Sequence, residues 1–224
     1  MGINVVTFVP EGIVIVSDDW AELKYKDDGF NPSYVNRTFL VKDSFCISFL
    51  DAYYPKGMPL GYYILRWQQE NKKTHFVNVK SIAENLVSFF HSVVEDYSIR
   101  FYIAGYIQDS IVPEIYLVEG QKIIPINRNK SDEHVYNFHV SGRIEWINKL
   151  LYSKSSDKKG NENILTPLMI DFTKYSIKEA TEFSKFLIEF SNKFDEFAQF
   201  KKSIGSNLTI AILTPNQNAI LIDH

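Results

Sequence analysis

Residues 3–18 read INVVTFVPEGIVIVSD, and the rest of the chain is organised around this stretch. Two runs rich in β-branched residues flank Pro10-Glu11-Gly12, which is a turn-forming sequence. The pattern predicts a β-hairpin, and its nearly continuous apolar character predicts that both faces of the hairpin are covered. The second run ends at Ser17-Asp18-Asp19, which makes this polar end the first place to look for chemistry.

Size and composition indicate one globular domain spanning residues 1–224. At 224 residues, with 17 Phe and 13 Tyr, the chain can build a large core. A net charge of -3 without a basic block argues against nucleic acid and against an anionic membrane as partners. No apolar run approaches the roughly 20 residues that span a bilayer, and no signal peptide is recognisable. We therefore expect a soluble, cytoplasmic protein.

The side chains most often used for metals, cofactors and nucleophilic catalysis form no known motif. Cys46 is the only cysteine, and its apolar neighbours predict an inert core thiol in a reducing compartment. Ser17 and Ser141 lie in no Gly-x-Ser-x-Gly sequence, and no glycine-rich nucleotide-binding pattern occurs. We expect no cofactor and no metal site, because metal-ligand spacing is missing from the scattered histidines His75, His91, His134, His139 and His224.

The remaining pattern alternates between strands and helices. We expect a surface loop over Trp20 to Tyr34 and a mobile, charged segment over Ser153 to Asn163. Strands are predicted at 38–41, 45–50, 100–107, 114–119, 122–126, 136–140, 208–213 and 219–222, and helices at 60–69, after Asn78 or Ser81, at 143–152 and after Ser176. This order predicts an α+β fold in which two packed sheets lie between helix layers.

The last helix has the clearest pattern. Ser176 and Glu179 have the spacing of a capping box, and phenylalanines recur every three or four residues as far as Phe197. We expect this phenylalanine face to pack in the core. A second aromatic group comprises Tyr53-Tyr54, Tyr62-Tyr63 and Trp67, for which core packing and an assembly surface both remain open.

Five segments, in their order and spacing, resemble the proteasome β-type family of N-terminal nucleophile (Ntn) hydrolases. They are Gly12 to Asp18, Ile103-Ala104-Gly105-Tyr106, Pro113-Glu114-Ile115-Tyr116-Leu117, Val140-Ser141-Gly142 and Leu208 to Thr214. The resemblance covers nearly the whole chain and implies a four-layer αββα sandwich. It also implies a chemistry in which an N-terminal threonine attacks while its own amine acts as base. A lysine, an acid that holds it, a supporting serine and aspartate, and an oxyanion glycine complete that site.

Carrying the family positions over to this chain preserves only part of the site. Asp18 matches the acid, and counting back from it puts the nucleophile position at Gly2, which has no hydroxyl even if Met1 is removed. The lysine position falls at Thr38, next to Arg37, and arginine cannot shuttle a proton.

The other family positions are also divided. Ser141 matches the supporting serine, whereas the supporting aspartate falls near Lys201 and a following serine near Ile204. Residues 49–52, Phe-Leu-Asp-Ala, stand where the family tends to have Ala-Gly.

These departures favour a proteasome-like protein without peptidase activity that is a structural or binding subunit of a homo-oligomer. Such a subunit could still bind a peptide or small-molecule ligand. The alternative is an active threonine-type peptidase or amidohydrolase with a displaced nucleophile, for which the candidates are Thr7 after cleavage of the chain, Ser17, Thr38 and Cys46. A binding module of the same layered class but unrelated to this family is a third possibility.

Overall fold

The computed structural model describes most of the chain and shows two antiparallel five-stranded sheets. The described residues are 2–25, 29–42, 44–50, 58–94, 99–106, 110–151, 154–156, 162–164, 170–198, 205, 207–215 and 217–223. Sheet 1 contains, in spatial order, β10 (Asn137–Gly142), β1 (Ile3–Val9), β2 (Gly12–Asp18), β13 (Leu208–Leu213) and β14 (Ile220–Asp223). Sheet 2 contains β5 (Thr38–Val41), β6 (Phe45–Phe49), β7 (Arg100–Tyr106), β8 (Pro113–Glu119) and β9 (Lys122–Pro125).

Helices and two short hairpins complete the described elements. The helices are α1 (Leu60–Glu70), α2 (Val79–Val94), α3 (Glu145–Leu151) and α4 (Ile177–Phe197). The hairpins are β3 (Trp20–Tyr25) with β4 (Gly29–Tyr34), and β11 (Lys154–Ser156) with β12 (Glu162–Ile164).

The predicted opening hairpin is confirmed, and it lies inside sheet 1. β1 pairs with β2 from Asn4 opposite Ser17 to Val9 opposite Gly12, and all residues of both strands are buried. β10 covers the free edge of β1, and β13 covers the free edge of β2. Interior strands with two covered faces need apolar residues throughout, which explains the nearly continuous apolar run.

Three hydrophobic clusters show how the layers pack. One joins sheet 2 to α1 and α2 through residues such as Trp67 and Phe90, and a second joins sheet 1 to α3 and α4 through residues such as Ile3 and Leu187. The third fills the space between the sheets and includes Phe8. The structure therefore confirms an α+β sandwich of two packed antiparallel sheets with helices on their outer faces.

The prediction of a loop over Trp20 to Tyr34 is wrong, because β3 and β4 form an antiparallel hairpin there. The sequence contained a sign of it, since an Asp-Gly pair (residues 28 and 29) is a common hairpin turn. The segment Ser153 to Asn163 likewise contains strand residues, those of β11 and the first two of β12. The predicted mobility of its remaining residues lies outside the described part of the chain.

Helix capping agrees with the predicted signals. Ser176 and Glu179 form both hydrogen bonds of the capping box at the start of α4. At α2 the first of the two proposed caps is observed, since the Ser81 backbone N–H donates to Asn78 Oδ1 at 2.7 Å.

The prediction that the phenylalanine face of α4 packs in the core is wrong for most of its length. Phe186, Phe194 and Phe197 are 50%, 38% and 81% exposed, whereas Phe183 packs against the sheet 1 cluster. The fully buried side chains of α4 are instead Ala180, Ser184, Leu187, Ile188, Ser191 and Asp195. Half of this set is Ala or Ser, because small side chains let the helix approach β1 and β2 closely.

Candidate functional site

Asp18 ends β2 with a fully buried carboxylate. Its Oδ1 accepts a hydrogen bond from the Ile3 backbone N–H at 2.7 Å and one from Arg37. Its Oδ2 accepts from the Gly205 backbone N–H at 2.7 Å. Both carboxylate oxygens are therefore committed to fixed donors, as a buried charge requires.

Arg37 lies just before β5 and is the ion-pair partner of Asp18. Neither charged side chain is exposed to solvent. Besides the carboxylate, the Asp18 carbonyl oxygen accepts from Nε at 3.1 Å and Nη2 at 2.7 Å, and the Leu50 carbonyl accepts from Nη1 at 3.4 Å. A buried ion pair is tolerated only when such additional hydrogen bonds satisfy the remaining donors.

Gly2 lies directly against this ion pair. A Cβ atom at position 2 would be 1.8 Å from Arg37 Nη2 and 2.3 Å from Asp18 Oδ1. The guanidinium therefore occupies the space that any side chain at position 2 would need. Gly142 lies close to the backbone of Gly2. A Cβ atom added to Gly142 would be 2.0 Å from the Gly2 carbonyl oxygen, and the φ of Gly142, +104°, also favours glycine.

Thr38, the residue that counting along the sequence places at the lysine position, faces other partners. Its hydroxyl is hydrogen-bonded to Ser17 Oγ at 2.7 Å and to Ser48 Oγ at 2.8 Å. The neighbouring Arg37 is the residue that reaches Asp18 and Gly2. Because adjacent residues of an extended chain point in opposite directions, a one-residue difference in register decides which side chain meets the acid.

Asn4 extends the polar contacts between the two sheets. Its Nδ2 donates to Ser48 Oγ at 3.0 Å and to the Phe49 carbonyl at 2.9 Å. Its Oδ1 is buried and has no hydrogen-bond partner among the described residues. Asn4, Ser17, Thr38 and Ser48 thus form a hydrogen-bonded chain in the sandwich interior.

Ser141 belongs to a separate group that also joins the sheets. The Tyr102 hydroxyl of sheet 2 contacts Ser141 Oγ at 2.5 Å and His139 Nδ1 at 2.6 Å, both on β10. Burial raises the pKa of Tyr102 and lowers the pKa of His139, so both groups are neutral near pH 7. With both groups neutral, two directions satisfy this chain: Ser141 donates to Tyr102 and Tyr102 to His139 Nδ1, or a protonated Nδ1 donates to Tyr102 and Tyr102 to Ser141. No hydrogen bond of the described residues links Ser141 to Asp18 or Arg37.

The four candidates for a displaced nucleophile are all in the interior. Thr7 is hydrogen-bonded to Ser184 of α4 at 2.7 Å, on the opposite face of β1 from sheet 2. Ser17 and Thr38 bond to each other, and all three hydroxyl residues are at most 1% exposed. Cys46 is fully buried, and this burial raises the pKa of its thiol. A raised pKa keeps the thiol protonated and therefore weakly nucleophilic.

Some predicted site positions lie outside the described residues. These are Lys201, Ile204, Asp51 and Ala52, together with Tyr53 and Tyr54 of the aromatic group. Within the described ranges, no three side chains of the metal-binding types cluster together, and none of the helices is long and apolar enough to cross a bilayer.

No model of a known protein family matches this chain, and no curated protein sequence matches it. The geometry around Gly2, Asp18 and Arg37 is therefore the basis for a functional assignment.

Proposed function

We propose that this chain is a proteasome-like protein of the Ntn-hydrolase type that has no peptidase activity and serves as a structural or binding subunit of a homo-oligomer. One observation carries the proposal: the Arg37 guanidinium fills the space beside Gly2 in which an attacking side chain would stand. The proposal of a proteasome-like protein rests on the segments that resemble the proteasome β-type family.

The chemistry available at Gly2 supports the loss of activity. Acyl transfer in this family needs a hydroxyl at the nucleophile position and a group nearby that accepts its proton. Gly2 has no hydroxyl, and the guanidinium is always protonated, so it cannot accept a proton. The Asp18 carboxylate accepts hydrogen bonds from two backbone N–H groups and from Arg37. Both of its oxygens are therefore used in contacts that hold the fold together.

The alternative of a displaced nucleophile has less support. Thr7, Ser17 and Thr38 are hydrogen-bonded in the interior, and the Cys46 thiol is kept neutral by burial. A substrate carbonyl would have to enter between the packed sheets or beneath α4 to reach any of them. Such entry would disrupt the clusters that hold the layers together.

Exposed apolar side chains on both helix layers support the assembly part of the proposal. Tyr62 and Leu65 of α1 are 45% and 62% exposed, Met58 just before this helix is 41% exposed, and Phe194 and Phe197 are exposed on α4. Exposed apolar side chains that form a contiguous patch are typical of contact surfaces, and we propose that these residues belong to such patches. The proteasome β-type proteins that the chain resembles assemble with neighbouring subunits, so a second copy is the proposed partner. Tyr63 and Trp67 are buried and belong to the core.

Light scattering combined with a peptidase assay tests both parts. We expect a molar mass well above the 26.0 kDa of one chain, reduced by Leu65→Ser or Phe197→Ser. Val112→Ser is the control, since Val112 is 41% exposed but lies on neither helix. We expect no hydrolysis of fluorogenic peptides. A 26.0 kDa species at every concentration would refute the oligomer, and hydrolysis abolished by Thr7→Ala, Ser17→Ala, Thr38→Ala or Cys46→Ala would refute the loss of activity.

A further inference from the structure

A groove of about 900 Å³ opens at the end of the sandwich opposite to Gly2 and Asp18. One wall is formed by residues 42, 44 and 45, a second by residues 74–78 of the α1–α2 connection, and a third by residues 213, 214 and 217–219. Leu213, at the groove, pairs with Ile13, next to the β1–β2 turn, whereas Leu208 at the other end of β13 pairs with Asp18. The volume falls within the range of small-molecule binding sites.

Lys42 projects from the β5–β6 turn into this groove. Its φ of 51° is uncommon for a residue other than glycine, and such backbone outliers concentrate at functional sites. Its Nζ donates to the Thr74 carbonyl at 2.5 Å and lies 4.6 Å from the centre of the Phe76 ring. Phe76 in turn stacks on the buried Trp67 ring at 5.9 Å. An ammonium group has three donors, so this fixed position leaves N–H groups for a ligand.

Tyr106 provides a second, independent observation. This residue ends β7, lines the groove and is only 6% exposed. Its hydroxyl makes no hydrogen bond within the part of the chain that the structure describes. Burial raises the pKa of Tyr106, so the hydroxyl stays protonated and can donate. The Tyr106 hydroxyl is therefore a donor that the described residues leave open to water or to a ligand.

The charge of the lining points to an anion. Among the described lining residues, Lys42 and His75 are the basic groups and none is acidic. At the N-terminus of α2, which adjoins the groove, two donors are already used, because the Val79 N–H donates to Glu114 Oε2 at 3.0 Å and the Ser81 N–H to Asn78 Oδ1. Of the lining residues that the structure describes, Lys42 is therefore the one that carries a full positive charge at neutral pH.

We propose that this groove binds a small anionic molecule whose carboxylate or phosphate group pairs with Lys42 and whose second polar group accepts a hydrogen bond from Tyr106. Neutral amide and hydroxyl groups, such as those of Asn78, Gln217 and Thr214, surround the ligand and accommodate a polar molecule. This site is separate from the one at Gly2 and does not depend on the loss of peptidase activity.

Titration with citrate and with inorganic phosphate, followed by amide chemical shifts, tests the proposal. We expect saturable binding of at least one anion, with shifts confined to the groove, and no such shifts with uncharged glycerol. Lys42→Met should weaken binding about tenfold or more, because it removes a charge-assisted hydrogen bond while keeping the aliphatic stem. Tyr106→Phe should weaken it about threefold, the effect of one neutral hydrogen bond.

Lys80→Met is the matched control, since Lys80 is an exposed lysine of α2 that does not line the groove. It should bind as the wild type does, and thermal unfolding should show that all variants are folded. The absence of binding by either anion at millimolar concentration would overturn the proposal. Equal affinities of the Lys42→Met and Lys80→Met variants would also overturn it.

Discussion

The guanidinium of Arg37 pairs with the Asp18 carboxylate at a point where neither side chain reaches solvent. The same guanidinium lies against Gly2, so the ion pair closes the pocket that a side chain at the start of β1 would fill. Three strands from both sheets meet here: the start of β1 and the end of β2 in sheet 1, and the entry to β5 in sheet 2. The ion pair therefore holds these strands together, and it also leaves no space for a nucleophilic side chain at position 2.

Removing the arginine should destabilise the protein strongly. We expect Arg37→Met to lower the free energy of unfolding by about 3–5 kcal/mol, because it leaves the Asp18 charge buried without its partner. Chemical denaturation measures this value. Arg66→Met is the matched control: the ion pair of Arg66 with Glu70 is exposed and screened by solvent, so its loss should change stability little. Similar losses for the two variants would contradict the role assigned to Arg37.

A side chain at position 2 should compete with Arg37 for space. We expect Gly2→Thr to lower the free energy of unfolding by about 1–3 kcal/mol, as overpacking does in a filled interior. In an Arg37→Ala background the same threonine should cost less, because the clashing group is gone. Gly61→Ala on α1 is the control, since its added Cβ meets nothing closer than 3.3 Å. A cost of Gly2→Thr that does not depend on residue 37 would rule out the competition.

Stability should fall in mild acid partly through His139. Burial lowers the pKa of His139 in the folded protein below the value of about 6.5 for a free imidazole, so the unfolded chain binds a proton more readily. The stabilisation is complete above that unfolded value and is lost as the pH falls from it through the folded pKa. The negative charge of Glu119 acts in the opposite direction and raises the pKa of His139, but burial is the larger effect. His139→Gln keeps a hydrogen-bonding group for Tyr102, either donor or acceptor, but cannot titrate, so urea unfolding between about pH 7 and pH 5 should depend less on pH. Equal pH dependence in the two proteins would contradict this role.

The Cys46 thiol should be unreactive in the folded protein. It is fully buried, and burial raises its pKa, so little thiolate is present at neutral pH. We expect iodoacetamide to leave the mass of the native protein unchanged and to add one carbamidomethyl group after denaturation. Rapid modification of the native protein would reopen the case for Cys46 as a nucleophile.

Two phenylalanines of α4 should differ widely in their contribution to stability. Phe183 packs against Phe138 and Phe172, with ring centres 5.2 and 5.3 Å away, whereas Phe197 is 81% exposed. We expect Phe183→Ala to lower the free energy of unfolding by about 3 kcal/mol and Phe197→Ala by less than about 1 kcal/mol. A similar loss for both variants would mean that the whole phenylalanine face packs in the core, as the helical periodicity alone had indicated.

The elements that could be predicted from the sequence are those set by local chemistry. The buried hairpin of β1 and β2 follows from two apolar runs around a Pro/Gly turn, and the start of α4 follows from Ser176 and Glu179. The periodicity of large apolar residues could not show which face of α4 approaches sheet 1. Small residues such as Ala180 and Ser184 lie at the close contacts and are as buried as large ones. The β3–β4 hairpin was missed because its polar composition outweighed the Asp-Gly turn signal.

The site at Gly2 was predictable in part for a similar reason. Asp18 could be located because it ends an unmistakable strand. The choice between Arg37 and Thr38 depended on a register of one residue, which no local pattern determines. The Tyr102 contacts to His139 and Ser141 join residues of different sheets that are 37 and 39 positions apart in sequence. Only the folded arrangement reveals them.

Intact-mass spectrometry after incubation with a β-lactone, which acylates reactive hydroxyl and thiol nucleophiles, shows whether the native protein has such a nucleophile. We expect the native protein to keep its mass, because Gly2 offers no hydroxyl and Thr7, Ser17, Thr38 and Cys46 are buried. A stoichiometric adduct that disappears when one of these four residues is replaced by alanine would contradict this expectation.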